Sequence, residues 1–433
     1  MAEAVQRGSD VGRSPRPQGL WAETATSLSS SATLEGMHDG DVAIIGAGYT
    51  GLTAALYLAE AGVTVHVLDR HQPGWGCSGR NGGQVNPGFK LDPDEILAHY
   101  GPQDGPRALN VARSTCDLVF ELIDKYAIEC QAVRPGYVQG GVGSHGERAL
   151  VERVRQWQAH GEAAQLLNRR EVSELLGTEA YDHGMHHATG GNLQPLSFAR
   201  GLAGAAMAHG ATIHGHSPAT SLERSGPGWL VRSNNGSLKV QHVLFATNGY
   251  TDALWPGLAK AVVPVSSVIA ATEPLSDNVA KSILPGRHAV SETLRVQVYY
   301  RKDGDGRFVI GGRGPVWGDT DSFSDKVVRQ TAERYFPALK GVQWHHKWGG
   351  WVAMTYDHAP KLMRLAPGVL ASMGCNGRGL AMSTMFGKQM ALEVLGEGAE
   401  MPITEQYYTP FHAFRNLGVW AHVARGRLLD RFI

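Results

Sequence analysis

Three glycines at a fixed spacing mark a turn that could hold a diphosphate. The stretch 41–51 reads DVAIIGAGYTG, in which a short apolar run at 42–45 precedes the glycines. In such a turn the first glycine permits a sharp bend, the second lets the backbone approach phosphate oxygens, and the third lets a helix pack on the strand. The first N–H groups of that helix then face negative charge. The spacing predicts a dinucleotide-binding turn made of Gly46, Ala47, Gly48, Tyr49, Thr50 and Gly51.

The residues around this turn predict a strand, a helix and a second strand. Leu52 to Ala61 carry apolar side chains at three- and four-residue steps, a pattern typical of a buried helix. The run 63–68 predicts a strand that ends at Asp69. A carboxylate about 20 positions after the glycines is suited to accept hydrogen bonds from a ribose diol. A glycine turn alone also arises for packing, but these flanking elements favour a nucleotide site.

A second glycine-rich loop favours a flavin over a nicotinamide. A flavin enzyme must also hold an isoalloxazine ring far from the adenine end, and later segments of the chain suit that task. Residues 74–84, GWGCSGRNGGQ, offer backbone N–H groups and little bulk along a diphosphate or a ring edge. The predicted cofactor contacts in this loop are Ser78, Gly79, Arg80, Asn81, Gly82, Gly83 and Gln84.

Two further segments predict a return of the chain to the same sheet. Residues 243–250, VLFATNGY, predict one strand, and 369–395 predict a strand, a glycine turn and a helix. The helix start and the Arg378 cation would face a carbonyl oxygen that carries negative charge. A reduced flavin is anionic at N1 and the C2 carbonyl, so Arg378 is the candidate for its stabilisation. These segments add the predicted contacts Ala246, Thr247, Gly249, Gly374, Gly377, Gly379 and Leu380.

These motifs resemble those of the flavin-dependent D-amino-acid oxidase superfamily. The similarity runs from about Leu20 to about Gly396 and is strongest to the gamma-glutamylputrescine oxidase group and its relatives, the sarcosine, glycine and pipecolate oxidases. It rests on GLWAETA, GAGYTGLTAALYLAEAG, GWGCSGRNGGQV, GGNLQPLSFARGLAGAA, ATNGYTDALWP, VIAATEPL, FVIGGRGPVWG and GCNGRGLAMSTMFGKQMALEVL. The resemblance implies FAD, oxidation of a carbon–nitrogen bond to an imine that is hydrolysed to a carbonyl product, and reoxidation by dioxygen to peroxide.

Position by position, the resemblance also implies roles for residues of the site. Asp69 and Arg70 match the adenosine ribose end, and Ala219 matches the backbone position that meets adenine. The loop 78–84 matches the segment that runs past the diphosphate, and 377–380 match the pyrimidine edge of the flavin.

Departures from the family pattern limit the transfer. The cysteine or histidine that tethers flavin in some relatives would fall near Gly350 or Asn81, and neither is present. The resemblance therefore implies noncovalent FAD. The sequence after Pro410 does not follow the gamma-glutamylputrescine group, which weakens the transfer of that substrate.

Composition narrows the partners and the compartment. The 40 Lys and Arg balance the 40 Asp and Glu, so no surplus of positive charge indicates nucleic acid or an anionic membrane. No apolar run reaches transmembrane length, and four cysteines are too few for a disulfide framework, so we expect a cytoplasmic protein. The pairs at 186–187 and 345–346 lack metal-ligand spacing, which predicts no metal site. A small, neutral substrate class fits this composition better, and the resemblance implies a small amine or amino acid with dioxygen or another electron acceptor.

The order of the motifs predicts an α/β (α+β) fold with two interleaved domains. At 433 residues the chain exceeds one ordinary core. A Rossmann-like FAD-binding domain would comprise 38–90, 185–250 and 350–396. A substrate domain built on a mainly antiparallel sheet would comprise 91–184 and 251–349. Residues 1–37 are predicted to be mostly disordered except for a docking segment near 20–25, and 397–433 to form a helical tail.

The substrate pocket is the least determined part of the prediction. Strands at 291–300 and 307–312, joined by a turn at 303–306, would form a floor over the flavin. The aromatic candidates for its wall are Tyr299, Tyr300, Trp317, Trp348 and Trp351. Tyr299 and Trp351 join Arg378 as catalytic candidates. A substrate carboxylate would need a cation, and the sequence does not rank Arg80, Arg295, Arg301 and Arg313.

The expected chemistry is hydride transfer from the carbon next to a neutral amine onto flavin N5, which needs alignment more than an acid or base. The first alternative is a dehydrogenase of the pipecolate, proline or sarcosine type that passes electrons to a quinone or a partner protein. The second is a flavin-binding structural protein. A second nucleotide site at 307–319 is disfavoured, because Pro315 interrupts it and no periodic helix follows.

Overall fold

Two large sheets dominate the computed structural model, which describes residues 19–28, 30–317 and 323–430. The first has seven strands in the order β21-β19-β20-β13-β2-β3-β9. Its strands are β2 (Val42–Ile45), β3 (Val65–Leu68), β9 (Thr212–His214), β13 (His242–Phe245), β19 (Lys361–Ala366), β20 (Val369–Met373) and β21 (Ile403–Thr404).

The centre of this sheet is parallel and covered on both faces. β2 pairs in parallel with β3 and β13, and β13 pairs in parallel with β20. Every residue of β2 and β3 is buried, as expected for parallel strands that carry continuous apolar runs. The strand predicted at 42–45 is confirmed, and so is the return of 243–250 to the nucleotide sheet. The second strand begins at Val65, two residues later than predicted.

The second large sheet has eight strands in the order β18-β14-β17-β16-β15-β5-β7-β6. All its neighbouring pairs are antiparallel except β15 with β5. Its strands are β5 (Tyr137–Gly141), β6 (Ala164–Asn168), β7 (His183–His187), β14 (Val263–Pro274), β15 (Ala289–Glu292), β16 (Tyr299–Lys302), β17 (Arg307–Arg313) and β18 (Trp344–Met354).

One predicted strand in this sheet was wrong. The run 291–300 forms the end of β15 and the start of β16, with a loop between them. Carboxylates, rather than strand partners, accept the N–H groups of that loop: Glu292 accepts from Val298 at 3.0 Å, and Asp430 accepts from Val296 at 3.0 Å. The turn predicted at 303–306 does join β16 to β17.

Two small sheets complete the strands. A four-stranded sheet has the order β1-β12-β11-β10, and β4 pairs with β8. Their strands are β1 (Gly36–Asp39), β4 (Gln84–Val85), β8 (Gly191–Asn192), β10 (Ser221–Ser225), β11 (Gly228–Arg232) and β12 (Gly236–Val240).

Helices cover both large sheets. They are α1 (Leu20–Thr24), α2 (Tyr49–Glu60), α3 (Pro93–Arg113), α4 (Thr115–Lys125), α5 (Gly143–Ala159), α6 (Arg169–Leu176), α7 (Pro195–Ala208), α8 (Asp277–Ser282), α9 (Lys326–Tyr335), α10 (Gly379–Val394) and α11 (Arg415–Leu429). α3 is kinked at Gly101, whose φ is 75°. α2 begins at Tyr49 rather than Leu52, so the glycine turn leads directly into its first turn.

The described part of the N-terminal segment includes the stretch near 20–25 that was predicted to dock on the body. Residues 1–18 and 29 lie outside the described residues. Leu20 and Trp21 are buried, and the Trp21 ring lies 5.5 Å from that of Trp348. The Trp21 indole N–H donates to the Asn81 carbonyl at 2.8 Å. Leu34 is buried as well, and its N–H donates to Ser217 Oγ at 2.8 Å.

The α/β fold class is confirmed, with a parallel sheet and a mainly antiparallel sheet built from alternating parts of the chain. The predicted segments contribute six of the seven strands of the first sheet; β21 comes from the segment predicted as a helical tail. The boundaries at 185 and 350 fall inside β7 and β18, both of which belong to the second sheet. The division into two domains stays a prediction.

Candidate active site

A cavity of about 940 Å³ lies where the carboxyl ends of the parallel strands face the second large sheet. Such ends are where α/β sheets bind ligands. One wall comes from the turns after β2, β3, β13 and β20, and the opposite wall from β5, β14, β15 and β17. The predicted cofactor contacts on this cavity are Gly46, Ala47, Gly48, Tyr49, Thr50, Asp69, Arg70, Ser78, Arg80, Asn81, Gly82, Gln84, Ala219, Ala246, Thr247, Gly249, Gly377, Gly379 and Leu380.

The glycine turn has no room for side chains at its three fixed positions. Gly46 has φ 109°, and a Cβ there would lie 2.8 Å from the Ala246 carbonyl oxygen. A Cβ on Gly48 would lie 2.9 Å from Ser78 Oγ. A Cβ on Gly51 would lie 1.9 Å from the Gly46 carbonyl oxygen, so Gly51 sets the distance between helix and turn without lining the cavity.

Three more predicted contacts lie behind the cavity wall. They are Gly79, Gly83 and Gly374. A Cβ on Gly79 would lie 2.2 Å from the Gly74 carbonyl oxygen, and Gly374 has φ 87° with its N–H donated to Asn248 Oδ1 at 3.0 Å. These glycines shape the loops that carry the lining residues.

Asp69 ends β3 with both carboxylate oxygens already hydrogen-bonded. Oδ2 accepts from the Ala47 N–H at 2.7 Å, and Oδ1 accepts from the His71 N–H at 2.8 Å. Burial raises the pKa of Asp69 to about 6 in spite of these bonds. The carboxylate therefore fixes the glycine turn. It also lines the cavity, where its remaining lone pairs can accept hydrogen bonds from a ligand. Beside it, Arg70 pairs with Asp252 at 2.7 Å.

The loop 74–84 is held by its own polar side chains. Asn81 Nδ2 donates to the hydroxyl of Tyr49 at 3.0 Å and to the carbonyl of Ser78 at 2.9 Å. Arg80 is 1 % exposed; its Nε donates to the Trp75 carbonyl at 3.0 Å and its carbon lies 4.7 Å from the Trp75 ring. The Nη2 atom of Arg80 is buried without a hydrogen-bond partner in the described chain. A buried guanidinium N–H without an acceptor indicates a ligand at this point.

A buried arginine that the sequence left unranked supports the same loop. Arg301 Nη2 donates to the Leu193 carbonyl at 2.8 Å, and Nε donates to the Gly82 carbonyl at 2.5 Å. Its carbon lies 4.8 Å from the Trp21 ring. Arg301 does not line the cavity, so it is a structural support rather than a substrate cation. Arg80, Arg295 and Arg313 do line it.

Arg378 precedes the first residue of α10 and lines the cavity. Its guanidinium donates to the Pro87 carbonyl and lies 5.6 Å from the ring of Tyr137. Its side chain therefore reaches toward the second sheet, while Gly377, with φ 82°, leaves the N-terminus of α10 open. The role of Arg378 toward reduced flavin stays a prediction.

Of the five aromatic pocket candidates, Tyr299 alone lines the cavity. Its hydroxyl lies 2.9 Å from Ser267 Oγ, and burial raises its pKa. The expectation for Trp351 needs correction: on β18 the neighbours Gly350 and Val352 line the cavity, and alternation along a strand directs Trp351 to the other face.

The other three aromatic candidates also lie elsewhere. Trp348 packs on Trp21, Tyr300 lies in the core of the second sheet, and Trp317 is exposed.

The sequence missed several cavity residues that carry charge or a hydroxyl, among them Lys90, Arg153 and Tyr137. Lys90 and Arg153 belong to no recognisable motif, and only the folding of α3 and α5 against β5 brings them to the site. Within the described ranges no group of three or more His, Cys, Asp or Glu could hold a metal ion. No helix there is long and apolar enough to cross a membrane.

Comparison with known proteins decides the family. The profile described as FAD dependent oxidoreductase, DAO, matches residues 41–392. The chain belongs to the DAO family. It is 30% identical to gamma-glutamylputrescine oxidoreductase of Escherichia coli (strain K12) over 400 residues, which are 92% of this chain and 91% of that protein. It is 32% identical to the probable oxidoreductase OrdL of Rhizobium meliloti (strain 1021) over 413 residues, 92% and 94% of the two chains.

The fold agrees with that assignment. Glycine oxidase from Geobacillus kaustophilus superposes with a TM-score of 0.70 at 20% identity, covering 83% of this chain and 95% of that one. As a DAO-family member, the protein is an FAD-dependent oxidoreductase that acts on amine or amino-acid substrates. The resemblance inferred from the motifs is thereby confirmed.

The residues present fit FAD. The turn at 46–51 leaves room for backbone contact with a diphosphate and none for a Cβ. The N-termini of α2 and α10 both open on the cavity, and Arg80, with its unpartnered N–H, lines the same cavity. Gly46 to Tyr49 and the Asp69 end of β3 would hold the nucleotide part, and the 377–380 turn with Arg80 would hold the ring system.

Proposed function

We propose that this DAO-family enzyme oxidises a small amine that also carries a carboxylate, of the gamma-glutamylputrescine kind, and reduces dioxygen to hydrogen peroxide. The main observation in favour of this substrate class is the positive charge on the cavity wall. Seven cations line the cavity, against the carboxylates Asp69, Asp252 and Glu292: Arg70, Arg80, Lys90, Arg153, Arg295, Arg313 and Arg378.

Three of these cations are neutralised within the protein. Arg70 pairs with Asp252, Arg153 with Asp92 at 2.6 Å, and Arg295 with Asp430 at 3.1 Å. The other four, Arg80, Lys90, Arg313 and Arg378, have no carboxylate partner in the described parts of the chain. A diphosphate accounts for two negative charges at the nucleotide end, so positive charge remains for the substrate.

The excess is concentrated at Lys90 and Arg313. Burial, followed by the charges of Arg378 and Arg153, lowers the pKa of Lys90 to about 8. The charge of Arg313 also acts on Lys90, which indicates that these cations share one region of the cavity. Burial lowers the pKa of Arg313, whose side chain makes no hydrogen bond to the described residues. An unpaired, half-buried guanidinium is suited to bidentate binding of a carboxylate.

This charge pattern favours a substrate with a carboxylate over a plain diamine. Gamma-glutamylputrescine carries a carboxylate at one end and a primary amine at the other. The E. coli relative named for it aligns over most of both chains. We therefore place the substrate carboxylate on Arg313 and Lys90, with the amine extending into the rest of the cavity.

Polar residues without partners can orient the amine end. Asn86 Oδ1 is buried without a donor in the described chain, and Asn86 lines the cavity. It can accept a hydrogen bond from the substrate nitrogen, while Tyr299 and Ser267 close the neighbouring wall. When bound, FAD supplies the acceptor for the hydride that leaves the carbon next to that nitrogen. The protein supplies alignment and excludes water.

The test is anaerobic bleaching of the yellow holoenzyme. The panel is gamma-glutamylputrescine, putrescine, sarcosine, pipecolate, proline and glycine, with wild type and Arg313→Gln side by side. We expect a carboxylate-bearing amine to bleach the wild type, and the variant to bind it about 10- to 100-fold more weakly, from about 1.5–3 kcal/mol per charge-assisted hydrogen bond. Equal bleaching of both proteins would refute the Arg313 assignment. No bleaching by any compound would refute the amine assignment.

The cofactor is proposed to be noncovalent. Denaturation with acid should release all the flavin into the supernatant, because no cysteine or histidine stands where relatives form a tether. Flavin that stays with the precipitated protein would contradict this.

A second candidate is a dehydrogenase that passes electrons to a quinone. The observation in its favour is an exposed apolar surface beside the cavity, described below. Turnover in air separates the two: one hydrogen peroxide formed per amine oxidised supports the oxidase, and turnover that needs an added quinone supports the dehydrogenase.

A further inference from the structure

The C-terminal helix α11 is attached to the body by one face. Val423 is 7 % exposed, and a Cβ on Gly426 would lie 3.1 Å from Val296. Beyond the helix, Asp430 pairs with Arg295 at 3.1 Å and accepts the Val296 N–H. These contacts fix how α11 is rotated about its axis and therefore which side chains face outward.

The outward face is apolar. At about 100° per residue, Leu417, Trp420 and Leu428 lie within about 80° of one another, on the side opposite Gly426. They are 58 %, 50 % and 55 % exposed. Phe411 and Phe414, just before the helix, are 85 % and 67 % exposed. Exposed aromatic and leucine side chains in this number indicate a binding surface rather than scattered apolar residues.

Arginines border this apolar face. Arg427 falls about 60° to one side of its centre and Arg425 about 100° to the other side, and both are exposed. The helix contains a third arginine, Arg415, and neither Asp nor Glu between 415 and 429. An apolar stripe with arginines along both edges is the pattern of a helix that lies in the interface of an anionic bilayer.

The surface adjoins the entrance of the cavity. His422 of α11 lines the cavity together with His358, and the charge of His422 acts on His358. Tyr356, two residues from His358, is 71 % exposed. Contact of α11 with a bilayer would place the cavity mouth near the lipid.

Charge is balanced over the whole chain but not along α11, which has arginines and no carboxylate. We propose that Phe411, Phe414, Leu417, Trp420 and Leu428, flanked by Arg425 and Arg427, dock the enzyme on an anionic membrane surface. A second copy of the chain is a poorer occupant. In a two-fold contact between identical faces the arginine borders would meet arginine borders, and no carboxylate on α11 could neutralise them. Anionic lipid headgroups supply that charge and the acyl chains accept the aromatic side chains.

The test is co-sedimentation of the FAD-loaded enzyme with vesicles of phosphatidylcholine alone and of phosphatidylcholine with phosphatidylglycerol. We expect binding to the anionic vesicles that falls with added salt. Leu417→Ser combined with Trp420→Ser should abolish it, and Arg425→Gln combined with Arg427→Gln should weaken it by about 5-fold for each arginine. Val327→Ser, which removes a 63 % exposed apolar side chain from α9, is the matched control and should bind as wild type does.

Amine turnover without vesicles should be unchanged in all these variants, which shows that they fold. Equal vesicle binding by wild type and the Leu417/Trp420 variant would overturn the proposal. So would a wild-type dimer in solution that the same variant converts to a monomer without any binding to vesicles.

Discussion

Adding one methyl group at Gly51 should weaken both the fold and FAD binding. The Cβ of Gly51→Ala would lie 1.9 Å from the Gly46 carbonyl oxygen, whereas real Cβ contacts start near 3.0 Å. Helix α2 and the glycine turn must therefore separate by about 1.1 Å, and the atom that must move is backbone. Such overpacking costs about 1–3 kcal/mol or more, against which alanine recovers about 1 kcal/mol of helix propensity. Because the contact is with backbone, we take the upper end of that range, about 3 kcal/mol, and expect a net loss of about 2 kcal/mol.

The displaced turn is the one proposed to bind the diphosphate, so FAD affinity should fall by about tenfold for each 1.4 kcal/mol lost there. The assays are urea unfolding of the apoprotein and FAD titration followed by flavin fluorescence. Gly204→Ala is the matched control, because Gly204 lies inside α7 and a Cβ there has nothing within 4 Å. That variant should be more stable by about 0.5–1 kcal/mol. A Gly51→Ala protein that unfolds and binds FAD as wild type does would refute the packing argument.

Three other perturbations follow from the site and its supports. Arg378→Ala should slow anaerobic flavin reduction more than it raises the FAD dissociation constant, and unchanged reduction kinetics would remove its proposed role. Arg301→Met leaves the buried Gly82 and Leu193 carbonyls without their donors, and should lower the free energy of unfolding by about 2–6 kcal/mol, from about 1–3 kcal/mol for each carbonyl, as measured by urea unfolding; a loss below about 1 kcal/mol would contradict this. His66 Nδ1 lies 3.0 Å from His214 Nε2, and burial, with neighbouring histidines, lowers the pKa of His66 and brings that of His214 to about 4. These folded-state pKa values lie below the unfolded value near 6.5, so the stability that the two neutral histidines contribute is complete above about pH 6.5 and is lost as the pH falls toward 4. In urea unfolding, the free energy of unfolding of His214→Gln should therefore fall less between about pH 6.5 and pH 4 than that of the wild type.

Local sequence determined the nucleotide half of the site well. The glycine positions, the strand at 42–45 and the helix after 379 were read from short runs, because each is specified by residues within about 20 positions of one another. The steric limit at Gly51 acts within the turn, through the Gly46 carbonyl oxygen, whereas the limit at Gly46 comes from the Ala246 carbonyl oxygen, 200 positions along the chain. Both positions require glycine, so these limits can be recognised from the residue type alone.

The substrate half could not be read in the same way. Lys90 and Arg313 come from segments more than 200 positions apart, and no spacing rule connects them. The sequence did not distinguish Trp351 from Tyr299 as pocket aromatics. The register of β18 against β14 directs the Trp351 side chain away from the cavity. The predicted strand at 291–300 is interrupted because two carboxylates accept backbone N–H groups in its middle. One of them belongs to Asp430, at the far end of the described chain.

The sequence by itself determined the family, the α/β class and the glycine turns that we expect to bind FAD, because glycine spacing and apolar runs are local properties of the sequence. The tertiary structure decided which cations remain without a carboxylate, which aromatic side chains reach the cavity, and that the face of α11 opposite Gly426 is exposed. Those properties depend on contacts between segments that are distant in the chain, and such contacts form only when the whole chain has folded.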